Sequence, residues 1–287
     1  MKKLIAIFII ILVTLYAVLS ILGSGGEYNA EKLYYRAMKV NKKIAANPDV
    51  VPPKLLGYVE NDLKTLLEKY PRTEIAKTAN ITLAEFYIFN KRYDDALSKI
   101  DSIIKANNKN PIILSTAYFL KGRAYEKQDK WASALKEYEI VRDDYIDTEL
   151  GIQMPLYIAK HYSDKGKEAN AAQAYNDAAL FYEKLEKNNS KKLLGYIASK
   201  LLLQTYINSG NYEQAGKTLE ETLNRYKSMM VLTQLLPLVE NIFVKELKRP
   251  EKAIEIYENI KEGTYDDRLK RFLDKKIEKL NSKKWVN

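Results

Sequence analysis

An alanine followed four positions later by a large side chain returns along this chain at a nearly constant interval, and no other feature restricts the fold as much. Ala96, Ala134, Ala171, Ala215 and Ala253 lie 38, 37, 44 and 38 residues apart, and Ile100, Tyr138, Tyr175, Leu219 and Tyr257 follow them. A polar hinge precedes each alanine, at 90–92, 129–130, 165–167, 209–211 and 248–250. Before the first four hinges stand Tyr87, Tyr125, Tyr162 and Tyr206, and before the fifth stands Phe243-Val244. Apolar residues on either side of a hinge keep the 3.6-residue period of an amphipathic helix. The pattern therefore predicts helix pairs: a small residue where two helices approach, aromatic rings in the gaps beside it, and neighbours stacked because no pair can bury its face alone.

The best-preserved copy runs from Ser115 to Leu150, with Tyr118, Gly122, Tyr125, Ala134 and Tyr138 in order. This succession of large, small and aromatic residues resembles the tetratricopeptide repeat family, over about residues 30–280. Lys121 stands where that family usually has leucine, Ile146 where proline often closes the unit, and the intervals exceed its usual period of about 34 residues. The resemblance implies an all-α fold, a right-handed α-solenoid of stacked antiparallel helix pairs. Glu186–Lys192, at the widest interval, reads as a longer loop. Gly166 and Gly210 suit the left-handed conformation that ends a helix, and Pro250 suits the first turn of the next one.

Ahead of the repeats, Leu4 to Leu22 is 19 residues without a charge, behind Lys2 and Lys3. As a helix it would extend about 28 Å, close to the thickness of a bilayer's hydrocarbon layer, which favours a retained anchor. The small residues Gly23-Ser24-Gly25-Gly26 leave a cleaved signal open. Expected domains are thus 1–26 (anchor or signal with a Gly/Ser tether), 27–72 (a divergent capping helix pair), 73–263 (five repeats) and 264–287 (a capping helix and tail).

Composition excludes several chemistries. With no cysteine and one histidine, His161, the 287-residue chain has no disulfide, thiolate or histidine-cluster metal site. The acids Asp143, Asp144, Asp147 and Glu149 lack the alternation and central glycine of a calcium loop. No glycine-framed serine or paired acid marks a hydrolase, so no catalytic residue, cofactor or metal is expected. The net charge of +10 fits a lysine-coated solvated surface, or attraction to an acidic partner or anionic envelope surface. The tyrosines of the repeats occupy core places and export would separate the chain from nucleic acid, so a nucleic-acid partner is not expected.

The segment Lys69 to Ala76 is similar to the periplasmic branch of the repeat family. That likeness implies a repeat domain outside the bacterial inner membrane, held by a single span or soluble after signal cleavage. In the family the first helix of each unit lines the inner groove, and those places fall here on Phe119, Arg123, Lys127, Leu156, Lys160, Lys200 and Gln204. A groove so lined would suit a protein segment with acidic and apolar side chains. The functional expectation is a non-catalytic interaction scaffold. The alternatives are a folding helper for exported chains and, least favoured, a hydrolase.

Overall fold

The computed structural model describes residues 26–46, 52–106 and 109–282. The expected membrane segment Leu4 to Leu22, its tether up to Gly25 and Trp285 lie outside them. Among the described residues no helix is long and apolar enough to cross a membrane. They are all-α, in two compact units, one ending at Gly151 and the other beginning at Ile152.

The first unit holds α1 (Gly26–Ala46), α2 (Pro53–Lys69), α3 (Glu74–Phe89), α4 (Tyr93–Lys105), α5 (Pro111–Glu126) and α6 (Trp131–Asp144). Each helix packs on its neighbours in sequence, and α1 with α3 and α3 with α5 also lie side by side, so these three form one layer. The core follows the alanine pattern: Ala96 and Ala134 are fully buried, as is Tyr138. Gly122 shows why a small residue is needed, since a Cβ there would fall 2.4 Å from the Tyr138 ring. The Tyr138 hydroxyl donates to Glu126 Oε2 at 2.6 Å, so the ring is packed at its body and satisfied at its tip. Lys121, unusual for its repeat position, reaches Asp101 at 3.1 Å and Glu137 at 3.5 Å on the flanking helices.

In the helix α7 (Glu149–Asp164) and the rest of the second unit, pairing continues through α8 (Glu168–Asn188), α9 (Leu193–Asn208), α10 (Tyr212–Arg225) and α11 (Met229–Val239). A π-helical stretch, Glu240–Glu246, leads to α12 (Pro250–Glu262) and α13 (Asp267–Ser282). Pro155 sits inside α7, where it removes a backbone donor and opens the ladder. The buried Tyr182 hydroxyl enters there: it donates to the Ile152 carbonyl at 2.8 Å and accepts from the Leu156 amide at 3.3 Å. Burial pushes its phenol well above the ordinary tyrosine range.

Five hinges share one backbone form. Gly166 and Gly210 take positive φ, 64° and 73°, as expected, but so do Lys91 and Asp129 at 58° and Lys248 at 56°. In four of them the next amide returns to the carbonyl of the repeat tyrosine five residues back: Arg92 to Tyr87, Lys130 to Tyr125, Lys167 to Tyr162 and Asn211 to Tyr206, at 2.9–3.0 Å. This is the Schellman closure, which satisfies carbonyls that a helix end would leave open and offsets a left-handed cost of about 1–2 kcal/mol for a residue bearing a Cβ.

One local expectation is corrected. The loop expected over Glu186–Lys192 is shorter, 189–192, because α8 continues to Asn188. Glu186 is held there by Arg225 and faces the Tyr226 hydroxyl, which gives its turn tertiary support. The polar pair Glu240-Asn241, which interrupts the apolar pattern of its helix, stands where the helix changes to π type.

Candidate protein-binding cleft

On the layer formed by α1, α3 and α5, the first unit opens a cleft of about 580 Å³. Its floor is apolar, with Phe86, Ile88 and Leu120 buried among the helices. Tyr34 and Thr82 share a 3.1 Å hydrogen bond that ties α1 to α3 along one wall. Phe89, the last residue of α3, leaves 54% of its surface in solvent at the cleft and is not needed by the core. Three cations, Lys91, Arg123 and Lys127, face one carboxylate, Glu85. Burial against the walls pushes the Glu85 carboxyl upward, while Arg123 pulls it the other way. An apolar trough with surplus positive charge accepts an extended chain whose apolar side chains fill the floor and whose acids meet the rim.

The seven expected groove residues are distributed unevenly. Arg123 and Lys127 line this cleft, whereas Phe119 packs on Tyr138 at 5.8 Å between ring centres, with the Arg123 guanidinium 5.8 Å from its own ring. Leu156 is half-buried against Ala178, Ala179 and Tyr182, and Lys160 is exposed on α7. Lys200 and Gln204 line a separate cleft of about 360 Å³ in the second unit, with Ile207 and Leu238. There Lys200 Nζ donates to Gln234 Oε1 at 2.8 Å and Gln204 to Asn208 at 2.6 Å, so both are already engaged within the unit.

The sequence matches no protein-family model and no curated protein. The chain is similar to the crystal structure of a tetratricopeptide repeat protein from Parabacteroides merdae, at 13% identity and a TM-score of 0.38, covering 91% of this chain and 95% of that one. So low a score does not fix how helices are arranged, and the repeat character rests on the helix pairs, alanines and hinges themselves. These pairs are of tetratricopeptide-like build.

Tyr34, Glu85, Phe86 and Phe89 were absent from the sequence-derived groove. One signal was available for Phe89: a large aromatic immediately before a polar hinge, two places after the repeat tyrosine, with no role in the repeat pattern. Among the described residues no group of three or more His, Asp or Glu side chains is arranged to hold a metal. His161 is half-buried, its ring edge-on to Tyr162 at 6.1 Å.

Proposed function

We propose that this chain is a non-catalytic protein-interaction scaffold of the bacterial cell envelope, and that the α1–α3–α5 cleft holds an extended, acidic and partly apolar segment of its partner. The supporting observation is the cleft's composition: three cations against one carboxylate, above an apolar floor and beside an exposed phenylalanine. The membrane-directed Leu4 to Leu22 stretch supports an envelope location, with the helical body outside the inner membrane, tethered or released. A photo-crosslinking amino acid in place of Phe89 tests the reading in growing cells. One dominant adduct, lost on Arg123→Glu with Lys127→Glu, is the expected result. Adducts unchanged by that reversal contradict the cleft, and many unrelated adducts in place of one favour the folding-helper alternative.

A further inference from the structure

The last helix carries a second surface, independent of the cleft in the first unit. Sequence periodicity assigns α13 the role of a solvent cap, and its inner residues Leu269, Leu273 and Leu280 are indeed buried. Its outer face is not uniformly polar. Phe272 is 44% exposed and lines an apolar recess of about 400 Å³ with Met229, Leu232, Leu236 and Pro237 of α11. Met230, next in α11, is also exposed, and Tyr265, just before α13, stands 100% in solvent.

The charges around this patch are sorted. At one helical turn before Phe272 lies Arg268, with Arg271 beside it; Lys275 and Lys276 lie one turn after it, and Lys279 two turns after. At 100° per residue Arg268, Lys275, Lys276 and Lys279 fall within about 60° of Phe272, while Arg271 lies about 100° away beside Glu278, and Asp267 and Asp274 lie further round. The nearby acids are also engaged. Asp266 Oδ1 accepts from the backbone amides of Arg268 and Leu269 at 2.8 and 2.9 Å, Asp274 pairs with Lys261, and Glu240 pairs with Lys276 at 2.6 Å.

We infer that this face of α13 docks on an anionic lipid bilayer. Phe272, Met229, Met230 and Tyr265 would enter the headgroup layer, and Arg268, Lys275 and Lys279 would meet the phosphates. The chemistry is that of an interfacial helix: aromatic and apolar side chains sink to the acyl boundary while long cationic side chains reach back to the headgroups. A protein groove would shelter an aromatic such as Tyr265, whereas a headgroup layer accepts a fully protruding one. The expected membrane-directed segment at the other end of the chain would keep a bilayer within reach.

The chain has no cysteine, so a single one reports one place. Met230→Cys and Tyr265→Cys, each labelled with an environment-sensitive fluorophore, are reconstituted as full-length protein into vesicles. One set is phosphatidylcholine alone and the other includes phosphatidylglycerol. The expected result is quenching by shallow spin-labelled lipid only in the anionic vesicles, reversed by salt. Adding Lys275→Glu and Lys279→Glu, both exposed, weakens this docking ~tenfold or more at unchanged helicity. Quenching equal in neutral vesicles, or none in either set, overturns the inference. A lipid-independent blue shift that grows with protein concentration also overturns it and assigns the patch to a second copy.

Discussion

The hinges at Lys91-Arg92 and Lys248-Arg249 use the same two residues for the same turn, yet they sit in different surroundings. Both lysines are left-handed, and both arginines clamp a glutamate of the preceding helix pair with two nitrogens, Arg92 on Glu60 and Arg249 on Glu213. Around Arg92 the closure spans five residues, back to Tyr87, and the Glu60 side chain is only 18% exposed. Around Arg249 it spans six, back to Phe243, and the Glu213 side chain is 61% exposed. The extra residue is taken up by the wider turns of Glu240–Glu246. The backbone reversal is therefore what recurs, and residue identity, local helix type and burial adjust around it.

The largest difference should appear when each clamp is cut. Glu60→Ala removes the acceptor of the Tyr87 hydroxyl, which donates to Glu60 at 3.0 Å, and leaves Arg92 only Asp95, and should cost about 2–3 kcal/mol in urea unfolding. Glu213→Ala, at an exposed pair, should cost under about 1 kcal/mol. Equal losses would break the distinction.

Acid sharpens it. Burial pushes the Glu60 carboxyl up, but hydrogen bonds from Arg92, Lys64 and Tyr87 outweigh burial and bring it from 4.5 down to about 2. A depressed carboxylate stabilises the fold fully above its unfolded value, and that contribution fades as pH falls from about 4.5 to about 2. Allowing for the partly exposed arginine and lysine, it is worth about 2 kcal/mol. Urea midpoints for the parent and Glu60→Gln should therefore converge as pH falls through that window.

The smaller effects concern the turn itself. Gly210→Ala puts a Cβ on a residue at φ 73° and should destabilise by about 1 kcal/mol. Lys91→Gly and Lys248→Gly relieve that same conformation and should each stabilise by about 0.5 kcal/mol, once the extra unfolded-state freedom of glycine is counted. Melting temperatures of the three variants check the sign, and a Lys248→Gly that destabilises would show that the π-helical hinge depends on its side chain.

These hinges also mark how far the sequence could be read. The alanine–aromatic spacing located helix pairs and turns because close helix packing demands small residues at fixed places. Gly166 and Gly210 announced their conformation, since glycine is the usual residue for it. Lys91, Asp129 and Lys248 did not, because the closing bonds that tolerate them are made by the backbone and leave no mark on composition. Pro155 was similarly opaque: its tolerance depends on the Tyr182 hydroxyl, 27 residues away in sequence. Arg123 and Lys127 could be placed on a first helix by repeat register, but Tyr34 and Glu85 join them only through stacking of α1, α3 and α5. Register assigns a residue to a face; which faces then converge on one cleft depends on helix lengths and offsets that a divergent pair such as α1–α2 does not keep.

The same contrast between regions supplies the most direct test of the functional account. Once a crosslinked partner segment is known, its affinity should be measured by titration calorimetry for the parent chain, for Arg123→Glu with Lys127→Glu, and for Lys200→Glu. The cleft in the first unit predicts a loss of at least about tenfold for the double reversal and almost none for Lys200→Glu, whose amine is already bonded to Gln234. Undiminished binding by the double reversal, with loss confined to Lys200→Glu, would contradict it.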